Sequence, residues 1–108
     1  MVEKNHPFTV TDSKIIEKLI EDDHVAVNHM VLLTGDALPE HFANSNVTMI
    51  VVRGTVTLKL DDQEPHEYPK GSILSIPFRT KMNVSNQGED AVELFVVKAP
   101  SPRMMQGM

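Results

Sequence analysis

The chain has 108 residues, the length of a single domain. Ten Lys and Arg against fifteen Asp and Glu leave a net charge of −5, which argues against a phosphate-tracking nucleic-acid binder, since that task needs clustered positive charge. Cys and Trp are absent, which removes disulfides, thiolate nucleophiles, iron–sulfur ligation and Cys-type zinc sites, and leaves too few aromatics for a base-stacking platform.

At the start of the chain, Met1 to Val10 contain no apolar stretch of signal-peptide type. The longest strictly apolar run, Met49 to Val52, is far short of the ~20 residues of a membrane-spanning helix. A cytoplasmic protein with no membrane contact is therefore expected. Ile15, Ile16, Leu19 and Ile20 then fall at i, i+1, i+4 and i+5, the stripe of an amphipathic helix of two to three turns. Asp12 or Ser13 is suited to cap it. Residues 1–24 are accordingly expected to form an N-terminal segment with a short helix.

Beyond it the pattern becomes β. Val25 to Leu33 alternates, with Val25, Val27, His29, Val31 and Leu33 on one face. Val47 to Arg53, Thr55 to Leu60, Ile73 to Ile76, Lys81 to Ser85 and Val92 to Val97 complete the predicted strands. Asp61 to Pro65 and Asn86 to Glu89 read as polar hairpin tips. Gly35, Gly54, Gly71 and Gly88 recur at intervals of 19, 17 and 17 residues, each leaving room for two short strands. Residues 99–108, with two prolines, two adjacent methionines and a glycine, read as an irregular, flexible tail.

Short strands at even spacing with turn glycines suggest a jelly roll. Two stretches sharpen this. Gly35, His41 and Gly54 stand where the first cupin motif has glycine, His and glycine; Gly71, Pro77 and Asn86 stand where the second has glycine, proline and asparagine. Over residues 25–98 the chain resembles a small single-domain cupin of the RmlC-like type. The resemblance implies an all-β fold, the cupin double-stranded β-helix, with the short helix added at the N-terminus.

The same comparison points to a missing chemistry. In cupins, two His and a Glu of the first motif and a His of the second bind a divalent metal. Here those positions hold His41, Ala43, Val47 and Met82, and Arg79 replaces a motif glycine. His41 is the only surviving ligand position, and one His does not make a structural or catalytic metal site. No metal cofactor of the usual kind is therefore expected. The alternative is a divalent metal at a rearranged site built on His29 and His41.

The expected ligand pocket consists of His29, His41, Asn46, Met49, Phe78, Arg79 and Met82. His41 reads equally as a pocket-lining donor and as an acid, base or ligand. His29 reads first as a satisfied core His, and Asn46 borders a strand at the end of a small polar run. Met49 and Met82 fill apolar space; Phe78 lies in the second motif; Arg79 offers a guanidinium for an anion, or a solvated charge. No nucleophile–base pair and no phosphate-cradling glycine loop is visible. The expected function is metal-free binding of a small molecule by a homodimer, since a short chain with a pocket has a thin core. The alternative is an enzyme, isomerase- or dioxygenase-like, working through His41 or a rearranged metal.

Overall fold

The computed structural model describes residues 1–107. Among these residues there are nine strands: β1 (Ile15–Glu21), β2 (Ala26–Leu32), β3 (His41–Phe42), β4 (Val47–Arg53), β5 (Thr55–Leu60), β6 (His66–Pro69), β7 (Ile73–Ile76), β8 (Lys81–Ser85) and β9 (Val92–Lys98). They form two antiparallel sheets, one ordered β1-β2-β9-β4-β7 and the other β3-β8-β5-β6. From β2 to β5 and again from β6 to β9 the chain alternates between the sheets, as in a double-stranded β-helix, whereas β1–β2 and β5–β6 are antiparallel neighbours within one sheet. The core lies between them and is built from Met30, Leu32, Met49, Val51, Leu58, Val84, Val92 and Leu94.

The expected N-terminal helix is replaced by β1. Ile15, Ile16, Leu19 and Ile20 satisfy a helical period, but β1 pairs with β2 from Ile15↔Val31 to Glu21↔Ala26 with an irregularity between Lys18 and Ile20. That bulge adds one residue to the strand and shifts its side-chain phase. A bulged strand with four apolar residues imitates the spacing of a helix. The barrel sheet thus begins at residue 15 rather than 25.

On β2 the expected inward face is the outer one. The alternation that joined Val27, His29 and Val31 is real, but it marks the outer face. The inward set is Ala26, Asn28, Met30 and Leu32, opposite Lys98, Val96, Leu94 and Val92 on β9. Both faces of β2 carry apolar residues because the outer one is also covered, so alternation alone does not say which faces the core. The cover is the N-terminal segment. Phe8 packs on the rings of His29 and Phe95, each at 4.9 Å between centroids. Thr9 donates through its backbone N–H and its hydroxyl to Glu17, both at 2.9 Å. Arg53 reaches the Asp12 carboxylate at 2.6 Å and the Thr11 carbonyl at 3.0 Å.

Motif residues that do no chemistry hold the loops. Asn86, fully buried, donates its amide to the carbonyls of Leu32 and Asp90 and accepts from the N–H of Gly88. The Asn86–Glu89 turn therefore carries the chain across from β8 to β9, in different sheets, rather than closing a hairpin. Gly54 has φ +72°, and a Cβ there would stand 2.2 Å from the Ala91 carbonyl oxygen, so this turn accepts only glycine.

The stretch expected to be an irregular, flexible tail, residues 99–108, is anchored on the barrel at a few points, and Met108 lies outside the described residues. A 3-10 turn spans Pro102–Met104, Ser101 and Met105 are buried, and Arg103 pairs with Asp23 at 2.8 Å. Ser45 Oγ donates to the Pro100 carbonyl.

Candidate functional site

The two inner faces leave a chamber of about 160 Å³ at one end of the barrel. Its apolar wall comes from Met30 on β2, Val47 and Met49 on β4, Met82 and Val84 on β8, and Val96 on β9, with Leu38 and Ala43 from the segments flanking β3. The strand register explains why they meet. Met82 stands opposite His41 on one side and Leu60 on the other. Met49 stands opposite Val96, and Val47 opposite Lys98. Directly opposite residues share a face.

All four positions of the family's metal ligands, His41, Ala43, Val47 and Met82, line this chamber. The donor set they present does not fit a metal. Ala43 and Val47 have no donor atom, and a thioether is a poor ligand for a hard or borderline ion. The rearranged pair is also not assembled, because His29 lies on the outer face of β2 and His41 on the inner face of the other sheet. Among the described residues no group of three or more His, Cys, Asp or Glu side chains is placed to hold a metal ion.

His41 is exposed at the chamber mouth. Its Nδ1 lies 2.9 Å from the Pro39 carbonyl. A carbonyl only accepts, so this nitrogen carries hydrogen, and Nε2 remains for a second partner.

Of the other expected pocket residues, Met49 and Met82 line the chamber and four do not. His29 is wholly buried on the far side of its sheet, with Nδ1 2.7 Å from Glu17 and Nε2 2.6 Å from Glu93. Glu17 is held below the ordinary glutamate range, first by the Thr9 backbone N–H and then by its hydrogen bond with His29. Asn46 faces the 77–80 turn, where its Oδ1 accepts from the N–H of Phe78 at 3.1 Å. Phe78 and Arg79 stack on each other, with the guanidinium carbon 4.8 Å from the ring centroid. Arg79 has φ +74°, so the turn keeps a backbone conformation suited to the family's glycine. That geometry carries Phe78 and Arg79 away from the chamber.

Three polar residues at the chamber were absent from the expected set: Asn28, Asn44 and Lys98. Lys98 ends β9, two residues beyond Val96 and on the same inward face. Its ammonium is driven below the ordinary lysine range by burial first and by the charge of Lys18 second, with Glu21 acting in the opposite sense. The signal was present in the sequence: Val92, Leu94, Val96 and Lys98 share one parity, and a lysine closing an inward row is unusual.

These three residues also border a second cavity, of about 240 Å³, whose remaining wall includes Lys18, Glu21, Ser101 and Arg103. An apolar chamber and a polar vestibule therefore adjoin at Asn28, Asn44 and Lys98. Among the described residues no helix is long and apolar enough to cross a membrane.

The comparisons with known proteins agree with this architecture. No family model matches the chain. MJ0764, an uncharacterized protein of Methanocaldococcus jannaschii, is 44% identical over 106 residues, which are 97% of this chain and 91% of that protein. A 1.70 Å crystal structure described as an RmlC-like cupin family protein with a double-stranded β-helix fold, from the same organism, superposes with a TM-score of 0.95 at 44% identity, covering 99% of both chains. A Cupin 2 conserved barrel domain protein of Salinispora arenicola shares the fold at 13% identity, with a TM-score of 0.77 over 96% of this chain and 94% of that one. A cupin superfamily protein of Desulfitobacterium hafniense does so at 12% identity, with a TM-score of 0.72 over 86% and 83%. The chain belongs to the RmlC-like cupin family.

Proposed function

We propose that this protein binds a small, largely apolar molecule in the barrel chamber and does so without the metal that cupins hold there. One observation carries the reading. The four metal-ligand positions converge on a chamber of about 160 Å³, and three of them are filled by Ala43, Val47 and Met82. The place is kept and its surface is apolar, which suits burial of ligand carbon rather than Lewis-acid chemistry. A volume near this one accommodates a benzene-sized body, since an apolar cavity of ~150 Å³ does so. The test is a thermal-shift screen of small apolar and amphipathic compounds against the protein and Met82→Trp. Compounds that stabilise the protein and lose that effect in the variant support the reading. Stabilisation that survives the filled chamber contradicts it.

A second reading rests on His41. With Nδ1 held by the Pro39 carbonyl, Nε2 is available at the chamber mouth to take or give a proton. In this reading a bound substrate undergoes acid–base chemistry there, and His41→Gln abolishes turnover while leaving binding in place.

We further propose that the protein is a cytoplasmic homodimer. Ile16, Val52 and Ile73 leave more than a third of their surface exposed, and a short chain hollowed by a pocket gains from covering such side chains. Sedimentation equilibrium at micromolar concentration distinguishes the dimer from a monomer.

A further inference from the structure

Resting on the binding reading above, we infer that the ligand is a small monocarboxylate, its apolar body in the chamber and its carboxylate at the Asn28–Asn44–Lys98 junction. Three features of the junction support this class. First, its polar groups are uncommitted. Among the described residues no carboxylate lies within 4.0 Å of the Lys98 ammonium, and the side-chain amides of Asn28 and Asn44 make no hydrogen bond to the protein. Ser101, wholly buried in the vestibule wall, has a hydroxyl with no partner. Asn44 is exposed, but Asn28 and Lys98 are half-buried and Ser101 is buried, and polar groups so placed normally find partners.

Second, the groups at the junction can all donate: an ammonium and two amide NH2 groups. The molecule that satisfies them together is rich in acceptors. Burial and the nearby Lys18 both disfavour the Lys98 ammonium, and an anion beside it relieves both effects.

Third, the charge available is single. The two other cations of the vestibule are engaged, Lys18 with Glu21 at 3.8 Å and Arg103 with Asp23 at 2.8 Å. One compact ammonium without a guanidinium fork suits a monoanion better than a dianionic phosphate. The adjoining chamber fixes the size of the rest, a body of about six to eight heavy atoms by the benzene comparison.

Benzoate is a direct probe, with benzamide and toluene as neutral counterparts and phenyl phosphate as the dianion. Their dissociation constants are read from chemical-shift titrations on the full chain and on Lys98→Met, which keeps the methylene stem. Benzoate should bind ~10-fold tighter than benzamide, the scale of one charge-assisted hydrogen bond, and this preference should fall to within about twofold in Lys98→Met. Toluene should bind the two proteins equally. Since the benzoate–benzamide ratio is measured within the unmodified protein, the test stands even if the variant folds poorly. Equal binding of benzoate and benzamide, a preference that persists in folded Lys98→Met, or tighter binding of phenyl phosphate overturns the carboxylate assignment. Binding of toluene and benzamide without benzoate overturns this inference and leaves the chamber reading standing. Binding of none of the four probes overturns both.

Discussion

His29 Nε2 lies 2.6 Å from Glu93 Oε2, across the β2–β9 pair and on the outer face of the sheet. A histidine of a cupin-like chain is thereby committed to holding the N-terminal segment rather than to the chamber. The ring is closed over by Phe8 and Phe95 and has Glu17 on its other nitrogen. Replacing Glu93 by Leu removes the acceptor and leaves a buried ring nitrogen unpaired. The expected cost is about 1–3 kcal/mol of unfolding free energy, measured by urea titration. Small-molecule binding in the chamber should be unchanged.

The same cluster sets an acid limit. Glu17 is held below its ordinary range in the folded chain, so its contribution to stability is full above the unfolded value. It is lost as pH falls from the ordinary glutamate range through the lower folded value. Urea midpoints of the protein and of Glu17→Gln should therefore differ at neutral pH and converge on acidification. A gap that widens on acidification contradicts the role given to Glu17.

Gly54 and Gly71 separate two kinds of glycine requirement. Both have positive φ, but only at Gly54 does an added Cβ meet backbone, 2.2 Å from the Ala91 oxygen. Gly71→Ala should cost about 1 kcal/mol, from backbone conformation alone. Gly54→Ala should cost more than ~2 kcal/mol, because the β4–β5 turn must also move off Ala91. Thermal midpoints rank the two.

The metal positions make a prediction by reconstruction. Protein purified without chelator should carry less than about 0.1 equivalent of transition metal, since one His is an incomplete donor set. Ala43→His, Val47→Glu and Met82→His together place four donors around the chamber that His41 already lines. The triple variant should bind a divalent ion stoichiometrically by elemental analysis. Failure of a folded triple variant to do so would mean that the four positions do not converge as described.

Much of the fold was legible in the sequence because turn glycines and motif spacing constrain the backbone. Gly54 makes the turn that its position implied, and the boundaries of β4, β5, β7 and β8 follow the apolar pattern, whereas the turn at Asn86 joins two sheets instead of closing a hairpin. β1 was misread because its bulge spaces Ile15, Ile16, Leu19 and Ile20 like a helix. The phase of β2 was misread because Phe8, far away in sequence, covers the outer face and lets His29 and Val31 be buried there. Periodicity reports alternation, and only tertiary contacts decide which side is inside. The site was half legible. His41, Met49 and Met82 follow from the motif and strand pattern, whereas Lys98 lies one residue past the predicted strand Val92 to Val97 and is not singled out by it. Its inward direction follows from the parity of Val92, Leu94 and Val96 once β9 is known to face the chamber.

Three of the seven methionines, Met30, Met49 and Met82, line the chamber, and among the described residues no other methionine does. Their methyl groups are therefore built-in reporters of its contents. Methyl-labelled methionine spectra of the protein, recorded during titration with toluene, therefore report whether the chamber is filled. Saturable shifts of the Met30, Met49 and Met82 methyls are expected, with Met1, Met104 and Met105 unmoved. Unchanged chamber methyls at saturating toluene, or shifts confined to Met104 and Met105, would mean that the chamber is not the binding site.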